Sequence, residues 1–166
     1  NNSILPVITG LLLFTLVAIS EELLFRGGIL QILIKSYSIP TALIFSSLLF
    51  SSVHLLNPGI TWVGFLNITL FGLIAGILFL KFNNIIPSIS LHLFWNFVQG
   101  SVLGFAVSGK KMYGVFSVHH YAPAYLSGGS FGLEGSLITL IIQFVFVLIL
   151  LPSSPKKLTL LKANNL

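Results

Sequence analysis

The stretch SYSIPTALIFSSLLFSSVHLLNPGITWVGFLNITLFGLIAGILFL, which occupies residues 36–80, contains no Asp, Glu, Lys or Arg. At about 1.5 Å per helical residue it is long enough to cross the hydrocarbon core of a bilayer, roughly 30 Å thick, twice. The sequence Asn-Pro-Gly at residues 57–59 is a strong turn signal that divides it. The stretch therefore predicts two membrane-spanning helices, at about residues 40–56 and 60–80.

Three further apolar runs flank this stretch, at residues 4–35, 85–107 and 135–151. The first has no Pro or strong turn after Ile19, so it predicts one long helix that bends near Gly27 and Gly28. Together the runs predict an all-α fold, a polytopic transmembrane helix bundle of about five spans with its polar site inside. We assign residues 1–152 to this domain and residues 153–166 to a basic C-terminal tail. The sequence does not begin with Met, and we expect further residues and spans upstream.

The composition excludes most soluble classes of protein. Of the 166 residues, 55% are apolar and 7% are charged, against roughly 25% charged in an ordinary soluble domain. The chain has no Cys, which excludes disulfides, Cys-ligated zinc and a thiol nucleophile. Its net charge of +5 does not indicate a nucleic-acid partner, because the basic residues are scattered or lie near predicted span ends. We expect the chain to lie in a lipid bilayer.

The lysines indicate an orientation in the membrane. Lys110 and Lys111 lie in the predicted loop at residues 108–134, between the last two spans. If the spans alternate in direction, the other lysines share the opposite side: Lys35, Lys81, Lys156, Lys157 and Lys162. Positive residues accumulate on the cytoplasmic side. We therefore expect a multi-pass protein of the cell membrane with a cytoplasmic C-terminus.

Acidic residues are rare in this chain, which contains only Glu21, Glu22 and Glu134. Glu22 and Arg26 are four residues apart on one helix, which predicts an ion pair, and a helix-stabilising role accounts for both. Glu21 lies about 100° around the helix, so Arg26 cannot fully serve both carboxylates. Beside a like charge, Glu21 is suited to take a proton from water and return it; otherwise it is a second arm of one Arg-centred network. We interpret Glu134 as structural, because a negative charge favours the N-terminus of the last helix.

Two histidines and an asparagine lie on the apolar helices that follow. His54 lies near the end of the second predicted span, and His92 and Asn96 share one face of the fourth. A lone His in a membrane is often a structural hydrogen-bonding residue. One Glu, two His and one Asn from three helices form a convergent polar cluster, however, and such clusters usually mark function.

Three motifs carry a resemblance to a known family, each on its own apolar helix: Glu21-Glu22-x-x-x-Arg26, Phe50-x-x-x-His54 and His92-x-x-x-Asn96. In this order they resemble the CPBP family of CAAX prenyl endopeptidases and bacteriocin-processing or immunity proteins, also called the Abi or type II CAAX protease family. The match covers about residues 20–96, and residues 127–135 also look like bacterial members before their last helix. Family members usually have additional spans before the double Glu.

The resemblance implies an intramembrane endopeptidase of a family commonly labelled metalloprotease, whose partner is a peptide or protein substrate. It implies that Glu21 is the general base that activates water, that His54 holds this water or a metal, and that His92 and Asn96 bind the scissile carbonyl and stabilise the oxyanion. Glu22 and Arg26 would position the site. Amide hydrolysis needs such a base, a held water and donors aimed at developing negative charge.

The sequence leaves the cofactor open. Glu21, His54 and His92 offer oxygen and nitrogen ligands suited to a divalent metal such as zinc. The helical His-Glu-x-x-His arrangement is absent, and the same residues can work without a metal.

Two other functions compete with proteolysis: non-catalytic peptide binding or bacteriocin self-immunity in the same cavity, and proton or cation transport. Transport is disfavoured, because Arg26 neutralises one acid and no inverted pair of interrupted helices is visible. Outside the cluster, Asn67 and Thr69 predict hydrogen bonds between helices, and His119 with His120 reads as a solvated loop pair.

Overall fold

The structure is a computed structural model that describes residues 4–118 and 122–151. Within these residues it is all-helical, which confirms the all-α part of the predicted fold class. The bounds of its helices are as follows: α1 Leu5–Glu22, α2 Gln31–Ser36, α3 Ile39–Ser52, α4 Trp62–Phe82, α5 Ile86–Asn96, α6 Ala124–Ser127 and α7 Leu137–Leu150. The basic tail and the pair His119 and His120 lie outside the described residues.

Two of the predicted spans are long and apolar enough to cross a membrane: the continuous helix Val7–Ser36 and the helix Trp62–Phe82. Ile39–Ser52 and Leu137–Leu150 are shorter apolar helices. The described residues therefore establish two candidate spans, and the bundle of five spans stays a prediction.

The fourth predicted span ends earlier than the sequence suggests. Helix α5 continues as a π-helical segment, Phe97–Val102, rather than reaching residue 107. Gly104 then has a φ of 78°, in the left-handed region, which ends the helix. Residues 103–107 therefore belong to the loop that follows.

Two helices of the fold change from α-helix to π-helix: α1 directly after Glu22, and α5 directly after Asn96. The first π-helical segment, Leu23–Leu30, follows Glu22 and contains Gly27 and Gly28, where the sequence predicts a bend. The second, Phe97–Val102, follows Asn96. Such segments are rare and often occur at functional sites.

Side-chain caps fix where three helices begin. Ser38 accepts a hydrogen bond from Thr41 N at the start of α3, and Thr61 accepts one from Gly64 N at the start of α4. Ser136 accepts hydrogen bonds from the first turn of α7. Each cap satisfies backbone N–H groups that have no partner inside the helix.

The core has an aliphatic part and an aromatic part. The aliphatic part lies mainly between α2, α3 and α4 and includes Leu30, Leu43 and Leu80. The aromatic part includes Phe25, Phe50, Phe71 and Phe131. The members of the aromatic part come from α3, α4, the first π segment and the long loop, so it joins these elements.

The loop between the second π segment and α7 packs against the helices. Its Phe131 is buried in the aromatic core. Gly109 has a φ of 80°, and a Cβ there would lie 1.9 Å from the carbonyl oxygen of Pro58. The loop is therefore held against the turn that follows α3, while Tyr113 and Tyr125 remain exposed.

Candidate active site

The three motifs come together, as the sequence predicts. Glu21 lies at the end of α1, His54 in the turn directly after α3, and His92 in the middle of α5. Glu21 Oε2 lies 4.0 Å from His54 Nε2 and 3.9 Å from His92 Nε2. One carboxylate oxygen therefore faces two imidazole nitrogens from two other elements.

The ion pair between Glu22 and Arg26 is confirmed. Arg26 Nη1 lies 2.9 Å from Glu22 Oε1, and the two side chains are 1% and 0% exposed. Arg26 Nη2 also donates a hydrogen bond of 2.9 Å to the carbonyl of Gly72, on α4. His92 Nδ1 lies 2.9 Å from the same Glu22 oxygen, a contact that the sequence does not predict. Glu22 thus connects two helices of the site from a fully buried position.

The Nδ1 contacts set the orientation of both imidazoles. His54 Nδ1 lies 2.8 Å from the carbonyl oxygen of Phe50, which can only accept, so Nδ1 carries a proton. His92 Nδ1 likewise donates to the Glu22 carboxylate. In each neutral ring Nε2 is then the lone-pair nitrogen, and it faces Glu21.

Aromatic rings pack around these polar groups. The Phe50 ring centroid lies 5.0 Å from that of His54, and the Arg26 guanidinium carbon lies 4.5 Å from the Phe50 centroid. The Phe71 ring meets His92 edge-on, with centroids 5.3 Å apart. Packing of this kind restricts the rotamers of the histidines and holds their Nε2 atoms toward Glu21.

A cavity of about 130 Å³ opens beside Glu21. The predicted residues Glu21, His54, His92 and Asn96 all line it. The Glu21 side chain is 31% exposed and lines the cavity, whereas that of Glu22 is fully buried behind it. The cavity places an acid, two imidazoles and an amide around a space that can hold water and part of a peptide.

A family model described as Type II CAAX prenyl endopeptidase Rce1-like matches residues 3–98, more than half of the chain. The chain belongs to this family. Members of the Rce1-like family are membrane-embedded proteases. The stretch matched contains Glu21, His54, His92 and Asn96. No curated protein and no solved structure matches the chain.

The predicted position of Glu134 at the start of the last helix is wrong. Glu134 does not begin the last helix, because α7 starts at Leu137 and Ser136 caps it. It lines the same cavity as Glu21 and is 5% exposed, in the part of this Rce1-like chain that the family match does not cover. Burial raises the pKa of the Glu134 carboxyl above its ordinary value, and the hydrogen bond from Gln99 opposes that rise in part.

N–H groups of three other residues hold the Glu134 carboxylate. Gln99 Nε2 and the backbone N–H of Ser108 donate to Oε2, and Trp95 Nε1 donates to Oε1. The sequence contains one sign that a polar group lies beyond Asn96. Gln99 lies seven residues after His92 and three after Asn96, on the helix face that carries both.

The predicted hydrogen bonds of Asn67 and Thr69 are present. Asn67 Nδ2 donates to the carbonyls of Glu134 and Ser136, at 2.6 and 2.9 Å, and so fixes the segment before α7 against α4. Thr69 Oγ1 donates to Ser51 Oγ at 2.8 Å and joins α4 to α3.

The arrangement does not support the metal set that the sequence offers. Ligands on a tetrahedral zinc ion, with bonds of about 2.0–2.2 Å, lie about 3.3–3.6 Å apart. Glu21 Oε2 is farther than this from both His54 Nε2 and His92 Nε2, at 4.0 and 3.9 Å. Within residues 4–118 and 122–151, no group of three or more His, Asp or Glu side chains is arranged to hold a metal ion. Glu21, His54 and His92 therefore do not fit a tetrahedral zinc site in this arrangement.

Proposed function

We propose that this chain is an intramembrane endopeptidase in which Glu21 activates the water that attacks a peptide bond. The observation that supports it most strongly is the position of Glu21 Oε2. This atom is buried, has no hydrogen-bond partner within the described residues, and faces Nε2 of both His54 and His92. A carboxylate oxygen left in this state is suited to accept a proton from a reacting molecule.

The distances suit one water molecule. A water that is about 2.8 Å from each of two atoms can bridge atoms 3.9 or 4.0 Å apart. It donates one hydrogen bond to Glu21 Oε2 and the other to the lone-pair Nε2 of His54. Its oxygen lone pairs are then directed into the cavity, where they can attack a carbonyl carbon.

The remaining steps use Asn96 and His92. Glu21 takes a proton from the water as the hydroxide oxygen adds to the peptide carbonyl. The oxyanion that forms accepts a hydrogen bond from the Asn96 amide and, when His92 carries a second proton, from His92 Nε2. Nδ1 is already used by Glu22, so a second proton on His92 is carried by Nε2. Glu21 then gives its proton to the leaving amine as the C–N bond breaks.

The direct test is cleavage of a quenched fluorescent peptide by the purified protein in lipid nanodiscs, followed by mass spectrometry of the products. Glu21→Gln should lower kcat by about 10²–10⁴-fold, the contribution of a general base, with little change in KM. His92→Ala should abolish cleavage as well. The matched control is Ser20→Ala, because Ser20 is the exposed neighbour of Glu21 on α1. The same assay with a chelator present should give an unchanged rate.

Cleavage that persists in both variants would overturn the proposal. Peptide binding without cleavage by the wild type would instead favour the non-catalytic binding or immunity function, for which the same cavity would serve.

The proposal includes the multi-pass topology, with Lys35 and Lys81 on the cytoplasmic side and Lys111 on the other. The chain has no Cys, so single Cys replacements of these exposed lysines give a clean readout. An impermeant maleimide should label Lys111→Cys in intact cells, and Lys35→Cys and Lys81→Cys only after permeabilisation. Labelling of all three in intact cells would contradict the alternating spans.

A further inference from the structure

Glu134 faces the same cavity as Glu21, and the proposed hydrolysis does not use it. Its carboxylate accepts hydrogen bonds from Gln99, Trp95 and Ser108, all N–H donors. The backbone N–H of Glu134 itself also lies against the carboxylate. All of these donors are neutral, so they supply dipoles but no net positive charge. The donors fix the Glu134 carboxylate at the cavity lining without neutralising its charge.

The charge of Glu134 lacks a counter-ion. No Lys, Arg or His side chain within residues 4–118 and 122–151 forms an ion pair with it. Lys110 also lines the cavity, but its side chain is exposed and lies in no such pair. A buried carboxylate without a counter-ion is costly, and a cation that enters the cavity would remove that cost. The raised pKa of the Glu134 carboxyl has the same physical cause, burial.

The helix α5 and its π-helical extension set the separation between Glu134 and the reacting groups. Trp95 and Gln99, which hold Glu134, lie three and seven residues beyond His92. At about 1.5 Å per residue this corresponds to about 5–10 Å along the helix. An extended peptide on the same face covers that distance in two or three residues, at about 3.3 Å each.

We infer that Glu134 forms a specificity subsite that binds the Lys or Arg side chain of a peptide two or three residues from the scissile bond. The inference rests on the proposed peptidase function and adds to it the chemical class of the residue selected. An ammonium or guanidinium group supplies the counter-ion that the Glu134 carboxylate lacks within the described residues. The aromatic ring of Trp95 beside Glu134 provides a surface for the aliphatic stem of such a side chain.

The test measures binding rather than cleavage. Glu21→Gln protein in nanodiscs is titrated with fluorescent decapeptides of Leu and Ala in which a single Lys is moved through every position. The composition of the peptides stays constant, so their partition into lipid does too. We expect Kd to fall by about tenfold or more when Lys occupies one or two adjacent positions. Norleucine in place of Lys should abolish this preference.

The second variant combines Glu21→Gln with Glu134→Gln. Its Kd should be the same for every position of Lys, whereas loss of a merely structural residue would weaken all peptides alike. A Kd that does not depend on Lys position in the single variant would overturn the inference, whether or not the double variant folds. Failure of the proposed function has a different signature, because the wild type would then bind Lys peptides with the same positional preference and cleave none of them.

Discussion

Two parts of the cavity lining each contain a glutamate, and the two glutamates have opposite environments. We call the lining around Glu21 the first wall and the lining around Glu134 the second wall. On one wall, the Glu21 carboxylate has a buried oxygen with no hydrogen-bond partner in the described residues and two imidazole nitrogens about a water molecule away. On the other wall, Glu134 is held by N–H donors and is more deeply buried. An acid without fixed donors can change its protonation during a reaction, and an acid held by donors is suited to binding. Environment, rather than residue type, therefore assigns the two carboxylates their roles.

Arg26→Met removes the cation that pairs with Glu22, next to the first wall, and should have the largest effect. It leaves the Glu22 carboxylate, 0% exposed, without its cation. Removal of one partner of a buried pair costs about 3–5 kcal/mol, so the free energy of unfolding should fall by about that amount. Reversible denaturation in mixed micelles measures it. Lys35→Met is the control, because it removes an exposed charge near the end of the same continuous helix and should change the free energy of unfolding by about 0.5 kcal/mol or less. Equal stability of the two variants would show that the Glu22 pair is not needed.

Asn96→Ala tests whether the first wall stabilises an oxyanion. Removal of one such donor lowers kcat by about 10²–10³-fold, and we expect a loss in that range with KM nearly unchanged. The control is Asn84→Ala, which removes an exposed asparagine whose Oδ1 accepts a hydrogen bond from Ile86 N at the start of α5. A change in kcat of less than about threefold would remove Asn96 from the proposed mechanism.

The smallest expected effect is the pH dependence of stability that Glu134 causes in the second wall. Burial raises the pKa of the Glu134 carboxyl above 4.5 in the folded protein, so the folded state favours its protonated form. The stability that this contributes is complete below pH 4.5 and is lost as the pH rises through the folded value. The Tm of the wild type relative to that of Glu134→Gln should therefore fall as the pH is raised from 4 to 8. A difference that is constant, or that grows with pH, would contradict the assignment.

The first wall could be predicted from the sequence because its evidence is local. Glu22 with Arg26 and His92 with Asn96 each share a helix face through their four-residue spacing, and isolated polar residues on apolar helices are expected to meet in the interior. The contact between Glu22 and His92 was not predictable in the same way, since it depends on how α1 and α5 pack.

The second wall could not be predicted because it depends on a loop. Glu134 reaches the cavity only because the chain after Gly104 folds back over the helices, and irregular segments have no periodic pattern to indicate which side chains face inward. The position of a charge just before an apolar helix favoured a role at the helix N-terminus. Ser136 occupies that role as the cap, which leaves the Glu134 carboxylate for the cavity.

The close approach of Gly109 to the Pro58 carbonyl has a mechanical consequence. It places the loop that supplies Ser108 and Glu134 in direct contact with the turn that follows α3 and carries His54. A Cβ at residue 109 would push the loop and this turn apart, and it would therefore displace Glu134 and His54, the two sides of the proposed site, together.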